Sequence, residues 1–300
     1  MNVINNTIVG FVKLLPKSIV YIFAKKYVAG PSVEDGIRVV KDLNAKGIVA
    51  TMDVLGEAIS SKEEAEETTK ECLEILDAIQ DHKLNANLSI KPTSLGLAID
   101  KDFCYEQIET LLKRAKEYNN FIRIDMEDSP YTDVTIELFL KLREKYENVG
   151  IVVQAYLKRT LEDVKMMDKK GGHYRLCKGI YVEPAEIAFK DKQEVRDNFM
   201  ASLNQMLDDG NYVGIATHDK YLVDEAYRLL KEKNIPKDKY EFQMLYGVKE
   251  RLRDKVNADG HLIRIYVPFG EKWYAYSIRR LQENPNMAWH ITKSIFTFGR

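Results

Sequence analysis

Tyr276, Arg279, Arg280 and Glu283 stand at positions i, i+3, i+4 and i+7 near the carboxyl end, so on a helix they share one face. Adjacent guanidiniums repel unless an anion sits between them, and their planar forks suit a carboxylate or phosphate. The spacing predicts a pocket for a small carboxylate. A solvated basic face tied up by Glu283 satisfies the same spacing, because exposed Arg–Glu pairs are common and weak. Elsewhere, Lys91 precedes Pro92 on an extended backbone, either as an anion ligand or as an exposed loop lysine. Asp125, Glu127 and Asp128 form a close acidic group that suits a metal ion or, lacking a matching histidine pair, the orientation of basic neighbours. His218, in Thr217-His218-Asp219, could be a general base, a metal ligand or a hydrogen-bonding group, the last being the commonest use of a lone histidine.

Such residues need elements to position them, and from Gly47 onward the chain alternates. Apolar runs at Ile48 to Met52, Asn87 to Ile90, Phe121 to Ile124, Gly150 to Ala155, Tyr174 to Cys177, Val213 to Ala216, Tyr240 to Leu245 and Leu262 to Val267 read as strands. Between them, helical periodicity covers Lys62 to Gln80, Asp102 to Tyr118, Asp133 to Tyr146, Leu161 to Lys169, Pro184 to Leu207, Lys220 to Lys233 and Val248 to Ala258, with a last helix from Trp273. Ser61, Thr132-Asp133, Thr160 with Glu162-Asp163, and Pro184 are start signals. Strands alternating with helices imply parallel pairing through right-handed crossovers. Eight repeats fit a (β/α)8 barrel better than an open doubly wound sheet, and no Gly-x-Gly-x-x-Gly follows the first strand. The expected organisation is an N-terminal helical arm over 1–46 and one α/β domain, a TIM-type barrel, over 47–300.

In such a barrel the reactive groups sit at the carboxyl ends of the strands. The residues predicted there are Asp53, Glu57, Lys91, Asp125, Glu127, Asp128, Gln154, Tyr156, Lys178, Tyr181, Thr217, His218, Asp219, Tyr246 and Tyr266. Asp53 and Glu57 read first as loop carboxylates capping the next helix. The tyrosines of the rim could be packing, in a chain that holds 17.

Composition sets the remaining bounds. Lys plus Arg (45) nearly balance Asp plus Glu (46), which argues against a nucleic-acid or polyanion partner. Cys72, Cys104 and Cys177 have no Cys-x-x-Cys spacing, against a disulfide framework or zinc site and in favour of a reducing cytoplasm. The first thirty residues carry Lys13, Lys17, Lys25 and Lys26 and no acid, but Pro16 and Lys17 interrupt their apolar runs. Neither run reaches the roughly 18 to 20 residues that span a bilayer. The segment suits either an anionic membrane surface or a helical arm packed on its own domain.

Taken in order, several motifs resemble the proline dehydrogenase family. They are Arg123-Ile124-Asp125-Met126-Glu127-Asp128-Ser129, Gln154-Ala155-Tyr156-Leu157, Arg175-Leu176-Cys177-Lys178-Gly179-Ile180-Tyr181, Ala216-Thr217-His218-Asp219 and Gln243-Met244-Leu245-Tyr246-Gly247. Tyr276-x-x-Arg279-Arg280-x-x-Glu283 completes the set, and the resemblance runs from about Gly47 to Asn286. It implies oxidation of L-proline to Δ1-pyrroline-5-carboxylate with non-covalent FAD on the rim of a distorted (β/α)8 barrel. Electrons would pass to a membrane quinone from a cytoplasmic enzyme resting on the membrane, and a pyrroline-5-carboxylate dehydrogenase would consume the product. No side chain accepts a hydride, so an organic cofactor is needed.

Carried over residue by residue, the resemblance implies that Arg279, Arg280 and Lys91 bind the proline carboxylate and Glu283 braces the arginines. Tyr181, Leu245, Tyr266 and Tyr276 would wall the ring. Arg175 is expected near flavin N5, with Gln154 and Gln243 at the polar edge of the isoalloxazine. Met126, Lys178, Gly179, Ile180, Thr217 and His218 are expected around the FAD. Asp125 would orient cationic and tyrosyl groups, with no metal. The family usually has alanine where this chain has Ile180, so the pocket there could be narrower. Tyr276 is kept, whereas related hydroxyproline dehydrogenases have a smaller polar residue, which favours proline. Two other readings stay open: a (β/α)8 lyase or aldolase using Lys91 as a Schiff-base amine, and a non-catalytic barrel that binds amino acids.

Overall fold

A computed structural model describes residues 20–21, 24–56, 59–167, 172–274 and 276–278. Eight parallel strands, β1 (Val49–Val54), β2 (Ala86–Ile90), β3 (Ile122–Ile124), β4 (Val149–Gln154), β5 (His173–Cys177), β6 (Tyr212–Ala216), β7 (Tyr240–Leu245) and β8 (Ile263–Phe269), close into a barrel in sequence order. Closure is made by β1 and β8, registered from Val49 against Arg264 to Val54 against Phe269. The (β/α)8 expectation therefore holds, and each expected strand is present within two residues of its predicted ends.

The helices are α1 (Val33–Asn44), α2 (Lys62–Asp81), α3 (Lys101–Glu117), α4 (Thr132–Arg143), α5 (Thr160–Met167), α6 (Lys192–Asp208), α7 (Lys220–Glu232) and α8 (Glu250–Ala258). Helix α1 starts at a capping box in which Ser32 and Asp35 satisfy each other's backbone donors. Its Ile37, Val40 and Leu43 join the same apolar core as the barrel. A Cβ on Gly36 would come within 3.0 Å of both Met52 and Phe269, so α1 lies tightly against β1 and β8. That is the place in the outer ring where a helix following the last strand would otherwise pack. The chain after β8 is instead helical over 273–274 and 276–278, with Lys272 and Tyr276 at the mouth of the barrel.

Two start signals behave otherwise than expected. The helix predicted from Pro184 begins at Lys192, capped by Asp191, whose carboxylate accepts from the backbone of Gln193 and Glu194. The preceding stretch satisfies its backbone against the β4–α5 loop: Lys158 N donates to Ile187 O at 2.9 Å and Phe189 N to Tyr156 O at 2.8 Å. Thr160 does not cap its own helix, since its hydroxyl donates to Gln154 O at 2.5 Å and ties α5 to the end of β4. Ser61 does cap α2, its Oγ accepting from Glu64 N.

The apolar core lies between the outer face of the barrel and the helices. The inner face departs from the branched aliphatic layers usual in such barrels. Arg123, Arg175, Glu241 and Gln243 are all buried, and Arg175 of β5 reaches Ser89 of β2 and Gln243 of β7. Strand glycines make room for these groups: a Cβ on Gly150 would stand 2.4 Å from Arg123 Nη1, and one on Gly214 2.3 Å from Gln243 Nε2.

Candidate active site at the barrel mouth

A cavity of about 1530 Å³ opens at the carboxyl-terminal ends of the strands. It brings together Lys91, Asp125, Met126, Gln154, Arg175, Lys178, Gly179, Ile180, Tyr181, Thr217, His218, Gln243, Leu245, Tyr266 and Tyr276. Arg279, Arg280, Glu283 and Glu57, predicted for the same place, lie outside the described residues.

At its floor the polar groups form one network. Asp125 Oδ1 accepts from Arg175 Nη1 at 2.8 Å and from Ser89 Oγ at 2.7 Å, while Oδ2 accepts from the Tyr266 hydroxyl at 2.8 Å. Burial, together with the charges of Asp125 and Asp53, pushes the Tyr266 phenol far above its ordinary range, so it stays a donor. Lys91 Nζ donates to Asp53 Oδ1 at 2.5 Å, lies 3.3 Å from Tyr266 Oη and 3.8 Å from Asp125 Oδ2. Burial alone would depress the Lys91 ammonium, but the charges of Asp53 and Asp125 outweigh it and raise its pKa. A Schiff-base lysine needs the opposite shift.

Asp53 is thus not a loop cap. It stands in β1, 2% exposed, and its carboxyl is raised by burial against the pull of Lys91. The acidic group also divides in space. Glu127 accepts from the backbone and hydroxyl of Thr93, at 2.9 and 2.5 Å, and so holds the turn after Lys91. Ser89 joins the site beyond the residues that the rim positions predict; it lies two residues before Lys91, and strand periodicity puts both on one face.

A family model described as proline dehydrogenase matches residues 37–292. The chain belongs to the proline dehydrogenase family. It is 40% identical over 263 residues to proline dehydrogenase 2 of Bacillus subtilis (strain 168), covering 88% of this chain and 87% of that protein. It is 36% identical over 289 residues to proline dehydrogenase of Deinococcus radiodurans, covering 95% of this chain and 93% of that one. Among solved structures, proline utilization A from Bdellovibrio bacteriovorus, inactivated by N-propargylglycine, superposes with a TM-score of 0.81 at 27% identity. The match covers 87% of this chain and 32% of that much longer one.

In this proline dehydrogenase family member, the rim beyond β5 and β6 is held by a second set of contacts. Lys178 Nζ donates to Asp219 Oδ2 at 2.6 Å, and Arg196 grips the same carboxylate at 2.9 Å. These hydrogen bonds, Arg196 first, hold Asp219 far below the usual carboxylate range. His218 Nε2 accepts from Leu245 N at 2.8 Å, which leaves the ring proton on Nδ1. Burial and the nearby Lys178 push the His218 imidazole down to about 4, so it is neutral near pH 7. Gly179 has φ +100°, and a Cβ there would stand 2.1 Å from the Tyr156 ring, so Tyr156 is the neighbour that requires glycine. Glu183, buried at the far side of the rim, accepts from Ser129 N and Oγ, each at 2.7 Å, and ties the β5–α6 loop to the β3–α4 loop. Ile180 of that loop is 49% exposed and stands at the cavity mouth rather than in packing.

Proposed function

We propose that this protein oxidises L-proline to Δ1-pyrroline-5-carboxylate with bound FAD and passes the electrons to a membrane quinone. The observation that carries the reading is the Arg175–Asp125–Tyr266–Lys91 network on the cavity floor of a proline dehydrogenase family member. The cavity suits a flavin. At about 1530 Å³ it exceeds the roughly 300–1,000 Å³ of an ordinary small-molecule pocket. Its wall includes Gln154, whose Nε2 is used by the backbone carbonyls of Met126 and Glu127 while its buried Oε1 has no partner among the described residues. When bound, FAD supplies the hydride acceptor that no side chain can provide.

The chain's own residues then have these roles. Arg175 and Gln243, with Gln154 beside them, would offer positive charge and hydrogen-bonding groups to the polar edge of the isoalloxazine. Met126, Lys178, Gly179, Ile180, Thr217 and His218 would surround the cofactor, His218 through its Nδ1 proton. Lys91, kept protonated by Asp53 and Asp125, would meet the substrate carboxylate; Arg279, Arg280 and Glu283, which the family resemblance adds to this role, lie outside the described residues. Tyr181, Leu245, Tyr266 and Tyr276 bound the ring, and Asp125 holds Arg175 and the Tyr266 hydroxyl in register. The substrate amine must be neutral to lose a hydride equivalent, so turnover rises with pH until the bound amine is deprotonated.

No helix among the described residues is long and apolar enough to cross a membrane. In this reading, contact with the quinone pool comes from a peripheral position on the cytoplasmic face, and a pyrroline-5-carboxylate dehydrogenase takes the product. Free thiols at Cys72, Cys104 and Cys177 agree with that compartment. Anaerobic titration of the purified flavoprotein with L-proline tests the reading. Stoichiometric bleaching of the flavin is expected, and binding of proline without bleaching would sink it in favour of a non-catalytic sensor.

A further inference from the structure

Beneath the cavity floor runs a chain of buried polar contacts that begins on residues outside the cavity wall. Arg264 of β8 donates from Nε to Glu241 Oε1 at 2.6 Å and from Nη1 to Ala50 O at 2.6 Å. The same Glu241 Oε1 accepts from Gln243 Nε2 at 2.6 Å. Gln243 Oε1 in turn accepts from Arg175 Nε at 2.5 Å, and Arg175 Nη1 reaches Asp125 Oδ1 at 2.8 Å. Side chains of β8, β7 and β5 thus link the depth of the barrel to its reactive rim.

The neighbours of Gln243 leave its amide one orientation. An ionised carboxylate only accepts and a guanidinium only donates, so Nε2 must face Glu241 and Oε1 must face Arg175. Glu241 is 1% exposed, and its charge is kept by Arg264. Gly214 supplies the space, since a Cβ there would stand 2.3 Å from Gln243 Nε2. An apolar pair of similar volume would serve stability about as well as a buried ion pair, and branched aliphatics are what usually fill this layer.

We propose that Glu241 is a positioning residue for proline oxidation: by anchoring the Gln243 amide through Nε2, it fixes the Arg175 guanidinium against Asp125. The proposal rests on the reading of Arg175 and Asp125 as part of the reaction site. Without the carboxylate, Gln243 Nε2 loses its buried acceptor, so the amide is held from the Arg175 side only and the guanidinium loses a fixed partner. Misplacement on that scale costs a reaction step on the order of tenfold or more.

The test replaces the ion pair by apolar residues, Glu241→Leu with Arg264→Met, in the flavin-loaded enzyme. Neither residue touches the cavity. The expected result is a folded flavoprotein whose kcat for L-proline falls on the order of tenfold or more. KM should stay within about twofold of the wild type, and the visible absorption bands of the bound flavin should shift. Unchanged kcat and unchanged bands in the folded double variant would overturn the proposal, leaving Glu241 a structural role only. Gly214→Ala displaces the same amide without altering any charge and reads the link if the double variant does not fold. Wild-type kcat and bands in Gly214→Ala would likewise overturn it. If L-proline bleaches no flavin in the wild type, the reading of the site fails first and takes the proposal with it.

Discussion

Arg175 Nη1 lies 2.8 Å from Asp125 Oδ1 across the barrel mouth, an ion pair joining β5 to the residue after β3. Both partners are largely buried, at 7% and 15% side-chain exposure, so neither can exchange the contact for water at little cost. Since the guanidinium also bonds Ser89 and Gln243, its plane is set from three sides. A cation fixed in this way stabilises charge that develops beside it without reorganising during the reaction.

Arg175→Lys keeps the charge but not the fork. One ammonium cannot reach Gln243, Ser89 and Asp125 together in the same geometry. The rate of flavin reduction by L-proline, followed by anaerobic stopped flow, should fall by about 10²- to 10³-fold. A loss under tenfold would mean that charge alone suffices.

Asp53→Asn removes the short partner of Lys91 from inside β1. Lys91 retains Asp125 at 3.8 Å, so the loss should sit near the low end for a broken buried pair, about 3 kcal/mol. Urea unfolding measures it. The same variant should weaken L-proline binding, because a lysine freed from Asp53 is drawn toward Asp125 and away from the substrate carboxylate.

His218 should make stability fall in mild acid. Its folded pKa is lowered to about 4 by burial, while the unfolded chain protonates near the ordinary value of about 6.5. Between those values the unfolded state binds more protons, so the contribution is complete above about pH 6.5 and is lost as pH falls toward 4. His173, also lowered to about 4, adds in the same direction. His218→Gln keeps an acceptor for Leu245 N and should reduce the pH dependence of unfolding free energy in this window by about one proton. An unchanged slope would show that His218 titrates normally.

Gly179→Ala places a methyl group 2.1 Å from the Tyr156 ring, on a backbone at φ +100°. The backbone strain alone is about 1–2 kcal/mol, and Tyr156, already buried among Leu157 and Ala188, has little room to retreat. The melting temperature should drop, and retained flavin per mole of purified protein should drop with it. A variant with wild-type stability and full flavin content would argue against a close approach here.

The chain's local pattern determined the architecture. Alternating apolar runs and helical periods are written in neighbouring residues, so eight strands, their order and the cluster of rim residues from Lys91 to Tyr266 are legible in the sequence. The start of α6 was not, because Pro184 opens a helix only if nothing else claims its backbone, and the β4–α5 loop does. Pairing across the barrel was equally hidden. Lys91 meets Asp53, Arg175 meets Asp125 and Gln243, and Arg264 meets Glu241 over separations of 23 to 68 residues. No local spacing encodes those partners. The inner face of each strand is a single alternating row, and only barrel closure decides which rows confront one another. Tertiary structure therefore turned Asp53 from a helix cap into the counterion of Lys91, and revealed the buried charges under the site that a strand pattern read for apolar residues passes over.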